Sequence, residues 1–400
     1  MIINASNWQR TQLDQDSQVA KQVSKMLQDI EHGGDRIIDT LAEKFDQQVP
    51  QMITLKPFAD YDLTDELRSA IQLAAKRVKT FAQFQLAGLK TQSFTDEFGT
   101  FGQVVEPIER IGAYIPGGRF PLISTALMTL IPAQVAGCPI RIACTPSTHP
   151  ALLAAASLAG ATQMMQIGGV QAIAAMAKGY QSISPVDLIV GPGNAWVNEA
   201  KKQLQSQVKI DGLAGPSELL AICDGKQPVE WLALDALAQA EHDPLACSLI
   251  VSDDKNWLNQ LLDFINQNEQ TKPLLDNGQV ELIFAPDTET LVNFSEQYAP
   301  EHLMLCHADI SADSLTHYGS LFIGANSAVA LGDYISGPNH TLPTLGYARQ
   351  TGGLNVLTYL KLMTTQQLND HGRKTLSTAA MPLAQAEGLV YHLESLKVRC

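Results

Sequence analysis

Four short stretches concentrate side chains that bind metals or move protons: AQAEHDP (238–244), YAPEH (298–302), GDYISGPNH (332–340) and AEGLVYH (386–392). A helical pattern runs over 228–241, so Gln239 and His242, three apart, share one face if the helix continues one residue further. They can then face one ion, but Pro244 ends the helix, and His242 serves equally well as a capping group on its last turn. Glu301 and His302 stand at the mouth of the strand-like run HLMLC, where neighbouring side chains point opposite ways if the chain is extended. That suits an acid and a base serving different steps, and it also suits two solvated loop residues.

Asp333 and His340 fall among Gly332, Gly337 and Pro338, the composition of a functional loop rather than a helix or strand. Asp333 offers a hard oxygen ligand. Glu387 and His392 are five apart in a helical tail, so they reach one small site only if a bend or a helix end lies between them. Gln, His, Asp and His donors would suit zinc. The cysteines (Cys138, Cys144, Cys223, Cys247, Cys306 and Cys400) form no CxxC pair and read as scattered reduced thiols. Spacing alone does not bring the four donors together.

Three glycine-rich turns, IPGGR (115–119), IGGVQ (167–171) and GPGN (191–194), each follow a strand-like run and precede a helical one. Glycine there lets backbone amides approach a ligand at the carboxyl ends of parallel strands. No GxGxxG occurs at any of them, and tight βα geometry alone is an equal reading of each turn.

These groups need a scaffold, and its grammar is legible. Val19, Val23, Met26, Leu27 and Ile30 recur at helical spacing up to Gly33-Gly34, and Leu67, Ile71, Ala74, Val78 and Phe81 repeat the pattern behind Thr64 as N-cap. The first hundred residues are therefore expected to be mostly helical. From residue 110, RIGAYIP, IRIAC, TQMMQI and VDLIV alternate with helical runs, and ELLAICD, CSLIVSD, VELIFAP, HLMLC and SLFIG form a second series. The expected fold is α/β: two doubly wound parallel-sheet, Rossmann-like domains, a helical N-terminal region and a small helical C-terminal tail. From about Leu360 the tail is expected to be helical without strands.

The chain has 400 residues and a net charge of -14 with no basic stripe, which argues against nucleic acid or an anionic membrane as partner. The N-terminus lacks the basic and apolar regions of a leader, and no apolar run approaches the ~20 residues needed to span a bilayer, so a cytoplasmic location is expected.

In series, IGAYIPGG, GPGN, AGPSE (214–218), QAEHDP, PEH, GDY, SGPNHTLPT and a terminal Glu-x4-His resemble the histidinol dehydrogenase family, in order and over essentially the whole chain. The resemblance implies a homodimer that oxidises L-histidinol to L-histidine in two NAD-dependent hydride transfers, with one Zn2+ per subunit. It implies Gln239, His242, Asp333 and His392 as zinc ligands, His392 coming from the partner subunit. His302 would be the base with a pKa near about 6.5, and Glu301 would activate water. Ser217, His340 and Glu387 would contact substrate together with Gln239, His242, His302, Asp333 and His392; Tyr114, Gln171 and Asn194 would contact NAD. The implied organisation is an arm (1–14), a zinc-bearing catalytic domain (15–113 and 217–350), an NAD-binding domain (114–216) and a tail reaching the partner (355–400). Gly212, where a methionine-like residue is expected, and the 346–359 stretch depart from the pattern. Relatives of the family oxidise other small alcohols, such as sulfonated propanediols.

Overall fold

The computed structural model describes residues 1–10, 17–118, 121–213, 215–241, 243–267, 269 and 271–400. His242 lies outside the described residues.

The strand-like runs after residue 110 form a six-stranded sheet in the order Gln51–Met52, Gln163–Gln166, Ile140–Thr145, Arg110–Tyr114, Leu188–Val190, Lys209–Ile210. All neighbours are parallel except the Gln51–Met52 edge. The order reverses on either side of Arg110–Tyr114, and such a switch point opens a crevice at the carboxyl ends of the strands. Helices cover both faces. Ser17–Gly33 and Asp35–Phe45 bring Val23, Leu27, Ile30 and Ile38 to one face, while Asp65–Ala87 and Ile123–Ala136 pack Ile71, Val78, Leu127 and Leu130 onto the other. Thr64 caps Asp65–Ala87 by accepting from Leu67 N–H, as its position predicts.

The second series forms an all-parallel sheet in the order Ile2–Asn4, Val280–Phe284, Cys247–Ser252, Glu218–Cys223, His302–Cys306, Ser320–Ile323. Its central strands are apolar on both sides because two separate cores, one per face, enclose them. Each fully buried Leu or Ile there contributes roughly 1.5–3 kcal/mol.

One expectation needs correcting. The tail is not free of strands: Leu360–Leu368 pairs antiparallel with Gly99–Pro107, which pairs with Gln92–Thr95, giving a third sheet. The nine residues of Leu360–Leu368 are exposed apart from Leu360, so no buried alternation marks them; the ladder of hydrogen bonds defines the strand. The helices Asp370–Ala386 and Val390–Lys397 follow. No described helix is long and apolar enough to cross a membrane.

Candidate active site

The left-handed backbone of Ala299 ends the helix Thr288–Tyr298, and Pro300 turns the chain into His302–Cys306. This delivers Glu301 and His302, 5% and 3% exposed, to the amino-terminal end of the sheet beside Glu218. Glu218 N–H donates to Glu301 Oε2 (2.7 Å), and His302 Nδ1 lies 3.1 Å from the Glu218 carbonyl. A carbonyl only accepts, so Nδ1 carries a proton, and in the neutral form of the ring the lone pair lies at Nε2. Glu301 and His302 do not point apart as in a regular strand. Glu301 precedes the strand, and its carboxylate comes within 3.5 Å of His302 Nδ1. Burial alone would lower the His302 pKa, but Glu301 and Asp333 outweigh it and hold it up to about 9, above the ordinary imidazole value.

Asp333 completes this cluster, its Oδ1 3.7 Å from His302 Nε2. It sits in the last turn of the short helix Val329–Tyr334, so the expected loop begins after it. His340 Nδ1 donates to the Asp333 carbonyl (2.7 Å), and its Nε2 lies 3.3 Å from Thr125 Oγ1 on Ile123–Ala136. Burial lowers the His340 pKa, which keeps that ring neutral. Through His340 and Asn339, which donates to Met128 carbonyl (2.6 Å), the 332–340 segment joins the two halves of the molecule.

Gln239 ends the helix Val229–Ala240, 3% exposed, and its side chain makes no hydrogen bond among the described residues. Val329 packs with Leu232, Ala233 and Ala236, so the Gln239 and Asp333 helices are neighbours. An amide with no protein partner among the described residues, on a helix that neighbours the one bearing Asp333, suits a nitrogen/oxygen metal site. Among the described residues no three His, Cys, Asp or Glu side chains converge as a metal centre. Ser217 adjoins Glu218, and its carbonyl accepts from Cys247 N–H. Glu387 and His392 are exposed and make no hydrogen bond or ion pair with this cluster within the described chain. A helix end does separate them: Asp370–Ala386 stops at Glu387, Gly388 is left-handed, and Val390–Lys397 begins anew.

At the carboxyl end of the 110–210 sheet lies a cavity of about 630 Å³, and Tyr114, Gln171 and Asn194 all line it. Gly169 N–H donates to Tyr114 Oη (3.3 Å), whose pKa burial pushes up to about 12. Gln171 Nε2 and Gly168 N–H both donate to Asp46 Oδ2 at 3.0 Å. Asn194 caps Ala195–Leu204 by accepting from Trp196 and Val197 N–H. Asp243, in the turn that leads into Cys247–Ser252, also lines the cavity. The cavity thus lies between the carboxyl end of one sheet and the amino end of the other. Sequence reasoning placed the glycine turns correctly but missed Asp46 and the part played by Glu218. Glu218 stood inside AGPSE, and its burial in a strand was the available signal.

The family model described as histidinol dehydrogenase matches residues 9–400. The histidinol dehydrogenase of Methanocaldococcus jannaschii is 38% identical over 94% of this chain and 91% of its own length, and that of Natronomonas pharaonis 40% identical over 92% and 90%. The crystal structure of histidinol dehydrogenase from Elizabethkingia anophelis superposes with a TM-score of 0.89 at 35% identity, covering 99% of this chain and 96% of that one. Betaine aldehyde dehydrogenase from Staphylococcus aureus, 12% identical with a TM-score of 0.51 over 87% of this chain and 82% of that one, shares the fold alone. The glycine turns, the catalytic-type cluster and these full-length matches converge: the chain belongs to the histidinol dehydrogenase family.

Proposed function

We propose that this oxidoreductase converts L-histidinol to L-histidine through L-histidinaldehyde in two NAD-dependent oxidations, the last steps of histidine biosynthesis. The observation that carries the reading is the buried Glu301–His302 pair with Asp333, in a chain of this family. In its neutral form, present above the ring's pKa of about 9, His302 takes the hydroxyl proton at Nε2 while its Nδ1–H is fixed on the Glu218 carbonyl; such a base is typically worth about 10²–10⁴-fold. Glu301, anchored through Oε2 by Glu218 N–H, uses its other oxygen to activate the water that hydrates the aldehyde. Ser217, His340 and Glu387 bind substrate, and Tyr114, Gln171 and Asn194, with the 114–216 segment, bind NAD, which when bound accepts the hydride.

Gln239, His242, Asp333 and the partner subunit's copy of the residue at position 392 would hold one Zn2+ per subunit. When bound, the ion would supply Lewis-acid anchorage for the substrate, and positioning of that kind is worth up to roughly 7–11 kcal/mol. The shared site implies a homodimer. Supporting it, the tail carries exposed Leu383, Val390, Tyr391 and Val398, and Trp231, Leu234, Leu331 and Tyr334 are exposed on the helices that bear Gln239 and Asp333.

The test offers zinc-loaded protein and NAD either L-histidinol or a sulfonated propanediol. NADH formation with L-histidinol is expected; turnover of the sulfonate alone would replace the reading with another small-alcohol dehydrogenase.

A further inference from the structure

The N-terminal arm reaches the acid/base pair through one residue. Its strand Ile2–Asn4 adds to the edge of the 218–323 sheet, and Trp8 packs edge-on against Phe294 and Tyr298. Two residues on, the Arg10 guanidinium lies 3.9 Å from the Tyr298 ring centroid, donates to the Tyr298 carbonyl, and pairs with Glu218 Oε1 at 3.0 Å. The other Glu218 oxygen accepts from Leu345 N–H at 3.2 Å. The Glu218 side chain is thus held on both oxygens. Its main chain is the piece that touches chemistry, since its N–H holds Glu301 and its carbonyl fixes His302.

We propose that Arg10 and Glu218 form a positioning clamp for this reaction: Arg10 anchors the buried Glu218 side chain, and the Glu218 backbone in turn sets the Glu301 carboxylate and the His302 tautomer. The inference rests on Glu301 and His302 being the working pair. Its physical basis is a buried carboxylate that needs its cation. Burial already pushes the Glu218 pKa to about 7 against the pull of Arg10, so losing the guanidinium leaves an unpaired group, which the strand start must shift to relieve. Lysine cannot replace the planar fork that pairs, donates and stacks at once.

The experiment compares Arg10→Ala, Arg10→Lys and Glu218→Gln with the full-length, zinc-loaded parent. In Arg10→Ala, kcat for L-histidinol should fall about tenfold while KM for substrate and NAD changes by less than about threefold, because the loss is in the reacting geometry. Arg10 is partly open to solvent, 30% exposed, so millimolar guanidinium should restore part of kcat where sodium chloride of equal ionic strength does not. Arg10→Lys should fall between Arg10→Ala and parent, and Glu218→Gln should lower kcat without a matching rise in KM.

A readout independent of turnover is the ¹⁵N spectrum of the His302 ring, assigned by its loss in His302→Asn. Recorded above the ring's pKa of about 9, the parent should show the Nδ1–H tautomer, and Arg10→Ala a mixture. Unchanged kcat and tautomer in folded Arg10→Ala, with only a lower melting temperature, would reduce Arg10 to a structural residue and overturn the clamp. A parent inactive on L-histidinol would sink the functional reading, whereas the tautomer would still decide the clamp.

Discussion

Replacing Lys201 by methionine should loosen the GPGN turn that brings Asn194 to the 630 Å³ cavity and unfold the protein at lower temperature. Lys201 and Asp211 are 1% and 3% exposed, and Lys201 Nζ donates to Asp211 Oδ1 (2.5 Å) and to the Gly191 carbonyl (3.0 Å). Asp211 also accepts from Gly191 N–H (2.7 Å) and Gly212 N–H (2.9 Å), so the pair fastens GPGN from both sides. Gly191 is needed for that turn, with φ at +115°; a Cβ there would sit 2.1 Å from the Tyr114 carbonyl. Methionine keeps much of the volume but strands the Asp211 charge. Breaking a buried pair costs about 3–5 kcal/mol, and the two surviving N–H donors put this case near about 3.

At ~2–4 °C per kcal/mol for domains of this size, the melting temperature should drop by roughly 10 °C. Because Asn194 sits on the same turn, NAD should bind more weakly and protect less in the same melt. Adding Asp211→Asn should recover part of the loss by removing the stranded charge. A drop below about 2 °C, or a double variant no better than the single one, would refute the reasoning.

Glu218 gives a pH prediction. Its folded pKa, about 7, lies above the ordinary carboxylate value of 4.5, so the associated stability is present below that value and is lost as pH rises through about 7. Between those limits the parent should lose roughly 2–4 kcal/mol relative to Glu218→Gln in parallel urea titrations; a constant difference would contradict the assignment. A chelator should abolish turnover while far-ultraviolet dichroism stays unchanged, and loss of the helical signal would mean the metal is structural. Mixed His392→Asn and His302→Asn chains should regain part of the parent activity, since one of the two sites then has every native group. Silence after verified subunit exchange would count against the shared site.

The sheets were legible because their strands are apolar on both faces and regularly spaced, and Thr64 because capping is local. The strand Leu360–Leu368 was not, since LKLMTTQQL is solvent-exposed and its identity resides in the distant strand Gly99–Pro107, more than 250 residues away in sequence. The site divides in the same way. Tyr114, Gln171 and Asn194 were marked by the family resemblance and lie beside or within the strand-end glycine turns, and they share a cavity. The Glu218 backbone contacts join residues 83 and 84 positions apart, and Arg10 lies 208 positions from Glu218; no periodicity carries such information. Nor does local pattern alone predict the ring value of His302: Glu301 is its sequence neighbour, but Asp333, which also raises it, comes from a separate helix.

The most direct measurement is the yield of NADH and L-histidine per L-histidinol consumed, in the parent and in Glu301→Gln. The parent should give two NADH and one L-histidine for each L-histidinol. Glu301→Gln should retain the first oxidation and stall before the second, giving close to one NADH and trappable aldehyde. One NADH per substrate from the parent, or an undiminished second oxidation in Glu301→Gln, would contradict the division of labour between His302 and Glu301.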